Sequence, residues 1–227
     1  MKASIFLLAI SLSMPLSAQG RGTEGVGRII LFGEAIQTQG ILLGQGIKDQ
    51  ADRQVGPGFR LQISPSMDSR WFGEVSARFQ SGAAMATNRD ISVVPPANIL
   101  DVTKVQVDYS YWAVGAAYLI PLGASGGFGV HLEGRAETIN PKGSYSTTNG
   151  GTAQIDAMSV YFRPWVRLSL EGRIKTWSLV TLVGADLGVA ATKASQRSIV
   201  PMSQIDAPTL RALAPTWSGA LYAGIQF

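Results

Sequence analysis

The feature that most constrains this chain is an alternation of period two that recurs along its length. Residues 70–80 place Trp71, Gly73, Val75, Ala77 and Phe79 on one face, and Arg70, Phe72, Glu74, Ser76, Arg78 and Gln80 on the other. That is a β-strand with one apolar face. The same split recurs at 58–64, 128–138, 158–171, 176–190 and 217–227. A strand near 27–37 is phased with Ile29, Leu31, Gly33 and Ala35 on the apolar face, opposite Arg28 and Glu34. Residues 104–119 complete a set of eight, phased with Val105, Val107, Tyr109 and Tyr111 outward against Gln106, Asp108 and Ser110.

The connections sort these strands into an architecture. Those at about 65–69, 120–126 and 172–174 are short, whereas those at 38–55, 81–103, 140–157 and 192–214 are long. Strict alternation of long and short, with an even strand number, is the pattern of a transmembrane β-barrel, whose periplasmic turns are short and extracellular loops long. Sandwiches and lipocalin-type barrels alternate as well, with the apolar face turned inward. Only 15% of the residues are charged, and the apolar faces run uninterrupted over five or six positions. This favours an apolar face turned toward lipid. Phase and spacing also set two aromatic girdles. Trp71, Phe128, Trp177 and Phe227 fall near the short turns, and Phe59, Phe79, Tyr109 and Trp217 near the long loops. The eight residues from Trp71 to Phe79 span about 20 Å of membrane height at a tilt of about 40°.

Met1 and Lys2 followed by the apolar stretch Ile5 to Leu16 and the small residue Ala18 read as an export signal over residues 1–18, leaving 19–227 as one barrel domain. With that signal, eight alternating strands and a last strand ending Ala223-Gly224-Ile225-Gln226-Phe227, the chain resembles the small outer-membrane β-barrel families of OmpA and OmpX type. The resemblance implies an all-β, eight-stranded antiparallel barrel in the outer membrane of a Gram-negative-type bacterium. It also implies recognition of the C-terminal strand, ending at Phe227, by the barrel assembly machinery. A monomer surrounded by outer-membrane lipid is expected.

The interior expected from this phasing holds Arg28, Arg60, Arg78, Arg135, Arg163 and Arg167 with Glu34, Glu74, Asp108, Glu133, Glu137 and Asp186, together with His131. A barrel of eight strands is wide enough for its own side chains or one small ligand, so these charges must pair. A closed, charge-paired core with a structural or surface-contact role follows, the long loops providing the contact surface. The alternative is a small channel or an OmpW-like transporter for small, even hydrophobic, molecules, because Phe72, Trp112, Val114, Tyr118, Ile120, Val180 and Leu182 fall on inward positions. Pro164 interrupts a strand, which reads either as a bulge or as a lateral gap. No cysteine and a single histidine leave little material for a metal site, a thiol nucleophile or a His-based triad, so no enzyme activity and no cofactor are expected. The loops carry basic and acidic residues in near balance with no run of either, which argues against nucleic acid.

Overall fold

In the computed structural model, the described residues are 25–38, 53–66, 68–79, 99–147, 152–156, 158–176, 179–194 and 214–227. They contain strands and turns and no helix. The strands are β1 (Val26–Thr38), β2 (Arg53–Ser64), β3 (Trp71–Arg78), β4 (Ile99–Pro121), β5 (Gly126–Thr147), β6 (Thr152–Asp156), β7 (Ser159–Thr176), β8 (Leu179–Ala190) and β9 (Pro215–Gln226). The expected export signal and Trp177 lie outside the described residues.

Every neighbouring pair is antiparallel, and the sheet closes on itself through β1 with β9 and β4 with β5. β6 pairs with β5 in the register that β7 uses lower down, Lys142↔Asp156 following Ile139↔Ser159. The two are therefore one wall position, and the barrel has eight. At the seam Gly27 and Phe227 exchange both backbone hydrogen bonds at 2.9 Å.

The connection expected at 140–157 is mostly strand. β5 runs on to Thr147 and β6 returns beside it, and β4 begins at Ile99 rather than near 104. Above Tyr111, where its pairing with β3 ends, β4 pairs only with β5 among the described residues. Here Lys142-Gly-Ser-Tyr-Ser-Thr and Thr-Ala-Gln-Ile-Asp have strand-forming Thr, Tyr and Ile, with an alternation carried only by the short runs Gly143, Tyr145 and Ala153, Ile155. So short an alternation is easily taken for a loop.

Burial across the wall is inverted relative to a water-soluble fold. Leu221 is 73% exposed, Val114 67% and Leu187 66%, while Arg135 and Glu137 are 0% exposed. Outward aromatics form two clusters. Trp71 lies 4.8 Å from Tyr118 between ring centroids near the turn end, and Phe59 packs against Phe79 at 5.9 Å and Trp112 at 6.1 Å nearer the loop end. Phe128 is half-buried, and Trp217 and Phe227 are exposed.

The phase expected for β4 is reversed. Tyr109 and Tyr111 are 1% exposed and face the interior, whereas Trp112, Val114 and Ile120 are outward and Tyr118 packs tilted against Trp71 outside. Between Tyr111 and Ile120 both parities are apolar, so the alternation holds no phase. Register with the neighbours decides it, since Glu74↔Gly115↔Glu133 forms one inward row. Tyr109 thus leaves the girdle, and Trp112 joins it.

Candidate functional site: the charged interior

Among the described residues, six buried arginines (Arg28, Arg60, Arg78, Arg135, Arg163, Arg167) face six buried acids (Glu34, Glu74, Glu133, Glu137, Glu171, Asp186). Glu171 stands where the expectation had Asp108. Asp108 is half-buried on the opposite parity of β4 from the interior tyrosines, a consequence of the reversed phase.

Near the turn end, Arg28 donates through Nη1 to Glu171 Oε2 at 3.2 Å and through Nε to Gln226 Oε1 at 2.9 Å. Its guanidinium lies 4.3 Å over the Phe72 ring. Arg173 Nε donates to the other oxygen of Glu171 at 2.8 Å. Both Glu171 and Arg173 escaped the sequence argument for the charge network. Their signal was parity, since Glu171 shares a face with Arg163 and Arg167.

The middle layer is built on Arg167 from β7. Its Nη2 donates to Glu74 Oε1 at 2.8 Å, its Nη1 to Glu133 Oε2 at 3.2 Å, and its Nε lies 3.4 Å from Asp186 Oδ2. Arg60 Nη2 donates to the same Asp186 oxygen at 2.9 Å. Glu74 Oε2 also receives Gln62 Nε2 at 3.0 Å and contacts His131 Nδ1 at 2.9 Å, while His131 Nε2 lies 2.9 Å from Ser169 Oγ. Carboxylates with several donors each hold their charge in a low-dielectric space because the donors replace lost water.

Toward the loop end, Glu133 Oε1 meets Arg135 Nε and Nη2, each at 2.6 Å. Glu34 bridges Arg135 Nη2 at 3.3 Å and Arg78 Nε at 3.5 Å. Arg135 is held between two rings, 4.0 Å from the centroids of both Tyr111 and Trp165. Glu137 takes a two-pronged contact from Arg163, whose Nη2 is 2.7 Å from Oε1 and whose Nε reaches Oε2, and it accepts from the Tyr109 hydroxyl at 2.5 Å. Arg78 donates to the Tyr109 carbonyl.

The order Glu74–His131–Ser169 has the connectivity of a serine-hydrolase relay. Its setting is different. All three residues are 4% exposed or less, Arg167 claims the second oxygen of Glu74, and the serine hydroxyl sits directly over the Cα of Gly129, where an added Cβ would lie 2.3 Å from it. No group of three His, Asp or Glu side chains among the described residues is arranged to hold a metal ion. The interior is also not the apolar channel that its inward aromatics suggested, because four of the seven residues named for it, Trp112, Val114, Tyr118 and Ile120, belong to the outer face. Phe72 and Leu182 are buried inside and Val180 is half-buried.

Pro164 sits in β7 with no bulge, since its register with β5 runs unbroken through Gly134↔Pro164. Its carbonyl accepts Ala191 N at 2.9 Å, so its ring nitrogen faces β8 as well. The last β7–β8 pair is Trp165↔Ala190. The proline therefore withholds the next donor and ends that ladder, a position where proline is tolerated.

No protein-family model and no curated protein sequence matches the chain. Among solved structures, the attachment invasion locus protein Ail of Yersinia pestis is similar over 90% of this chain and 99% of its own, at 12% identity and a TM-score of 0.43. Neisserial surface protein A is similar over 89% and 98%, at 10% identity and a TM-score of 0.41. A major outer membrane protein from Thermus thermophilus is similar over 88% and 98%, at 9% identity and a TM-score of 0.48.

Proposed function

We propose that this chain is an outer-membrane β-barrel with a closed interior and a structural or surface-contact role. The observation that carries this reading is the inverted burial, with large apolar side chains exposed on the outside and twelve paired charges inside. An aqueous medium would penalise that arrangement twice, whereas lipid rewards the outer face and leaves the inner charges to each other. The turn end is periplasmic, residues 1–18 direct export, and the C-terminal strand ending at Phe227 is the segment that the assembly machinery engages. The barrel is a monomer in lipid. Its contact surface is the loop end, where β4, β5 and β6 form a sheet whose outer edges have no partner strand among the described residues. Such edges accept an added strand from a partner.

Planar-bilayer conductance of the purified barrel tests the closed interior. No steady openings are expected, and steady large openings would establish a channel and overturn this reading. Orientation has its own test. A membrane-impermeant amine reagent on whole cells is expected to label Lys193, exposed just past β8 at the loop end, and to spare Lys175, exposed at the turn end; the opposite pattern would refute the topology.

A further inference from the structure

The charge balance of the interior breaks at one place. Six buried arginines face six buried acids, and Arg173 joins that network as a seventh, because Glu171 takes Arg28 at 3.2 Å on one oxygen and Arg173 at 2.8 Å on the other. Among the described residues, the turn end of the lumen therefore carries one cation in excess. Beside the shared acid a pocket of about 200 Å³ opens at the turn-end mouth, lined by Arg28, Arg173, Arg70 and Asp68 and, deeper, by Phe72 and Leu119. Phe72 and Leu119 are buried and belong to a small apolar cluster with Val26 and Ala117. Arg70 and Asp68 are exposed, beside the turn between β2 and β3. Arg28 is fixed from three sides, by Glu171, by Gln226 at 2.9 Å and by the Phe72 ring 4.3 Å away. Arg173 is the freer of the pair, with its side chain 29% exposed.

We propose that this pocket binds the free carboxyl terminus of a peptide in the periplasm. The proposal rests on the membrane reading above, which puts the turn end in that compartment. The unbalanced charge is a single one, since Asp68 offsets Arg70, and a single charge suits a carboxylate and disfavours a dianion. A guanidinium presents paired N–H donors that match the two oxygens of a carboxylate, and Glu171 already brings Arg28 and Arg173 onto one such group. The deeper wall is apolar, so the last side chain of the peptide finds a surface to cover. The volume falls below the roughly 300 to 1,000 Å³ of sites that enclose a whole small molecule. The pocket therefore admits the end of a chain and leaves the remainder in water. A phospholipid headgroup is the competing source of a single negative charge. Arg28, Phe72 and Leu119 project from the lumen side of β1, β3 and β4, and a headgroup would have to leave the bilayer to reach them.

The test uses the full folded barrel in uncharged detergent micelles, with acetyl-alanyl-alanine as the free acid, its C-terminal amide and inorganic phosphate as probes, and titration calorimetry as the readout. The acid is expected to bind about tenfold more tightly than either the amide or phosphate, equivalent to about 1.4 kcal/mol. Arg173→Gln should weaken binding of the acid about tenfold while the unboiled protein keeps its folded mobility on a gel, since Glu171 retains Arg28. Asp68→Asn removes the opposing charge and should tighten binding about threefold, a gain that damage to the fold does not produce. Equal affinities for acid and amide, or an unchanged affinity for the acid in both variants, overturn the site. Phosphate binding as tightly as the acid, or displacement of the acid by an equal concentration of short-chain phosphatidylglycerol, overturns the peptide terminus as its occupant. Failure of the barrel to float with phospholipid vesicles overturns the membrane reading instead. A barrel that floats and does not distinguish acid from amide overturns the site alone.

Discussion

Replacing Glu133 by alanine is the most informative single change, because it removes one acid from between two arginines that are unequally supplied. Arg167 loses a contact of 3.2 Å but keeps Glu74 at 2.8 Å and Asp186 at 3.4 Å. Arg135 loses both contacts of 2.6 Å and keeps Glu34 at 3.3 Å, an acid already shared with Arg78. One fully buried guanidinium is left with a long, shared partner and two aromatic faces. Breaking a buried pair from one side costs about 3 to 5 kcal/mol, and the remaining Glu34 and ring contacts place this case near the lower figure, at about 3 kcal/mol. The paired variant Glu133→Leu with Arg135→Met removes both charges together and is expected to fall within about 1 kcal/mol of the parent. Outward controls fix the phase of the strand. Leu132→Ala should cost under about 1 kcal/mol, and Leu132→Arg about 2 to 4 kcal/mol toward the bilayer midplane. All four are measured by reversible denaturant unfolding in phospholipid vesicles, followed by tryptophan fluorescence and gel mobility. If Glu133→Ala cost less than about 1 kcal/mol while Leu132→Arg were harmless, the faces of β5 would be assigned wrongly. The same small loss for Glu133→Ala with a damaging Leu132→Arg would show a hydrated interior in which these charges are screened.

Three further outcomes are expected. Pro164→Val restores an N–H opposite Ala191 and should extend the β7–β8 ladder, so stability should hold or rise slightly, with slowed amide exchange at residue 164; a loss above about 1 kcal/mol would contradict the proline's place at the end of that ladder. Gly115→Ala should be strongly destabilising in thermal unfolding because its neighbours within 3 Å include the Leu132 carbonyl and the Glu133 Cα, whereas Gly134→Ala should be tolerated; equal melting temperatures would count against this packing. Ser169 should resist a fluorophosphonate probe in the folded barrel, and its labelling would show that the Glu74–His131–Ser169 relay is accessible and reactive.

Where one strand face is apolar and the other polar, as in β3 at 71–78 and β5 at 128–138, inside and outside could be read from residue types alone. The structure places Arg28, Glu34, Arg60, Glu74, Arg78, His131, Glu133, Arg135, Glu137, Arg163, Arg167 and Asp186 in the interior. Alternation could not phase β4, because tyrosine serves either medium and Trp112 and Val114 are as apolar as the inward residues beside them. A subtler signal lay in size. Ala113, Gly115 and Ala117 share one parity, and a narrow interior filled with arginine needs small residues on at least one wall. Apart from Glu133–Arg135 and Glu171–Arg173, each two residues apart on one strand, which acid meets which arginine was beyond sequence, since the other pairs join different strands across the interior through shear and tilt. The β5–β6 hairpin was missed because its alternation is short, carried only by Gly143, Tyr145, Ala153 and Ile155.

The closing seam also sets a timetable. Arg28 and Gln226, hydrogen-bonded across β1 and β9, are 198 residues apart in the chain. β4 and β5, by contrast, are joined through the tight bend at 122–125, where Gly123 adopts a φ of 73° and Leu122 N bonds to Gly126 O at 2.9 Å. Joining ends across the whole chain rather than across a few residues adds roughly 3.5 kcal/mol of loop-closure entropy. The long central hairpin is thus the part able to form early, and the seam can close only after every intervening strand has found its neighbour. Until then β1 and β9 each present a bare edge, so the half-made barrel is the species most exposed to mispairing with another chain.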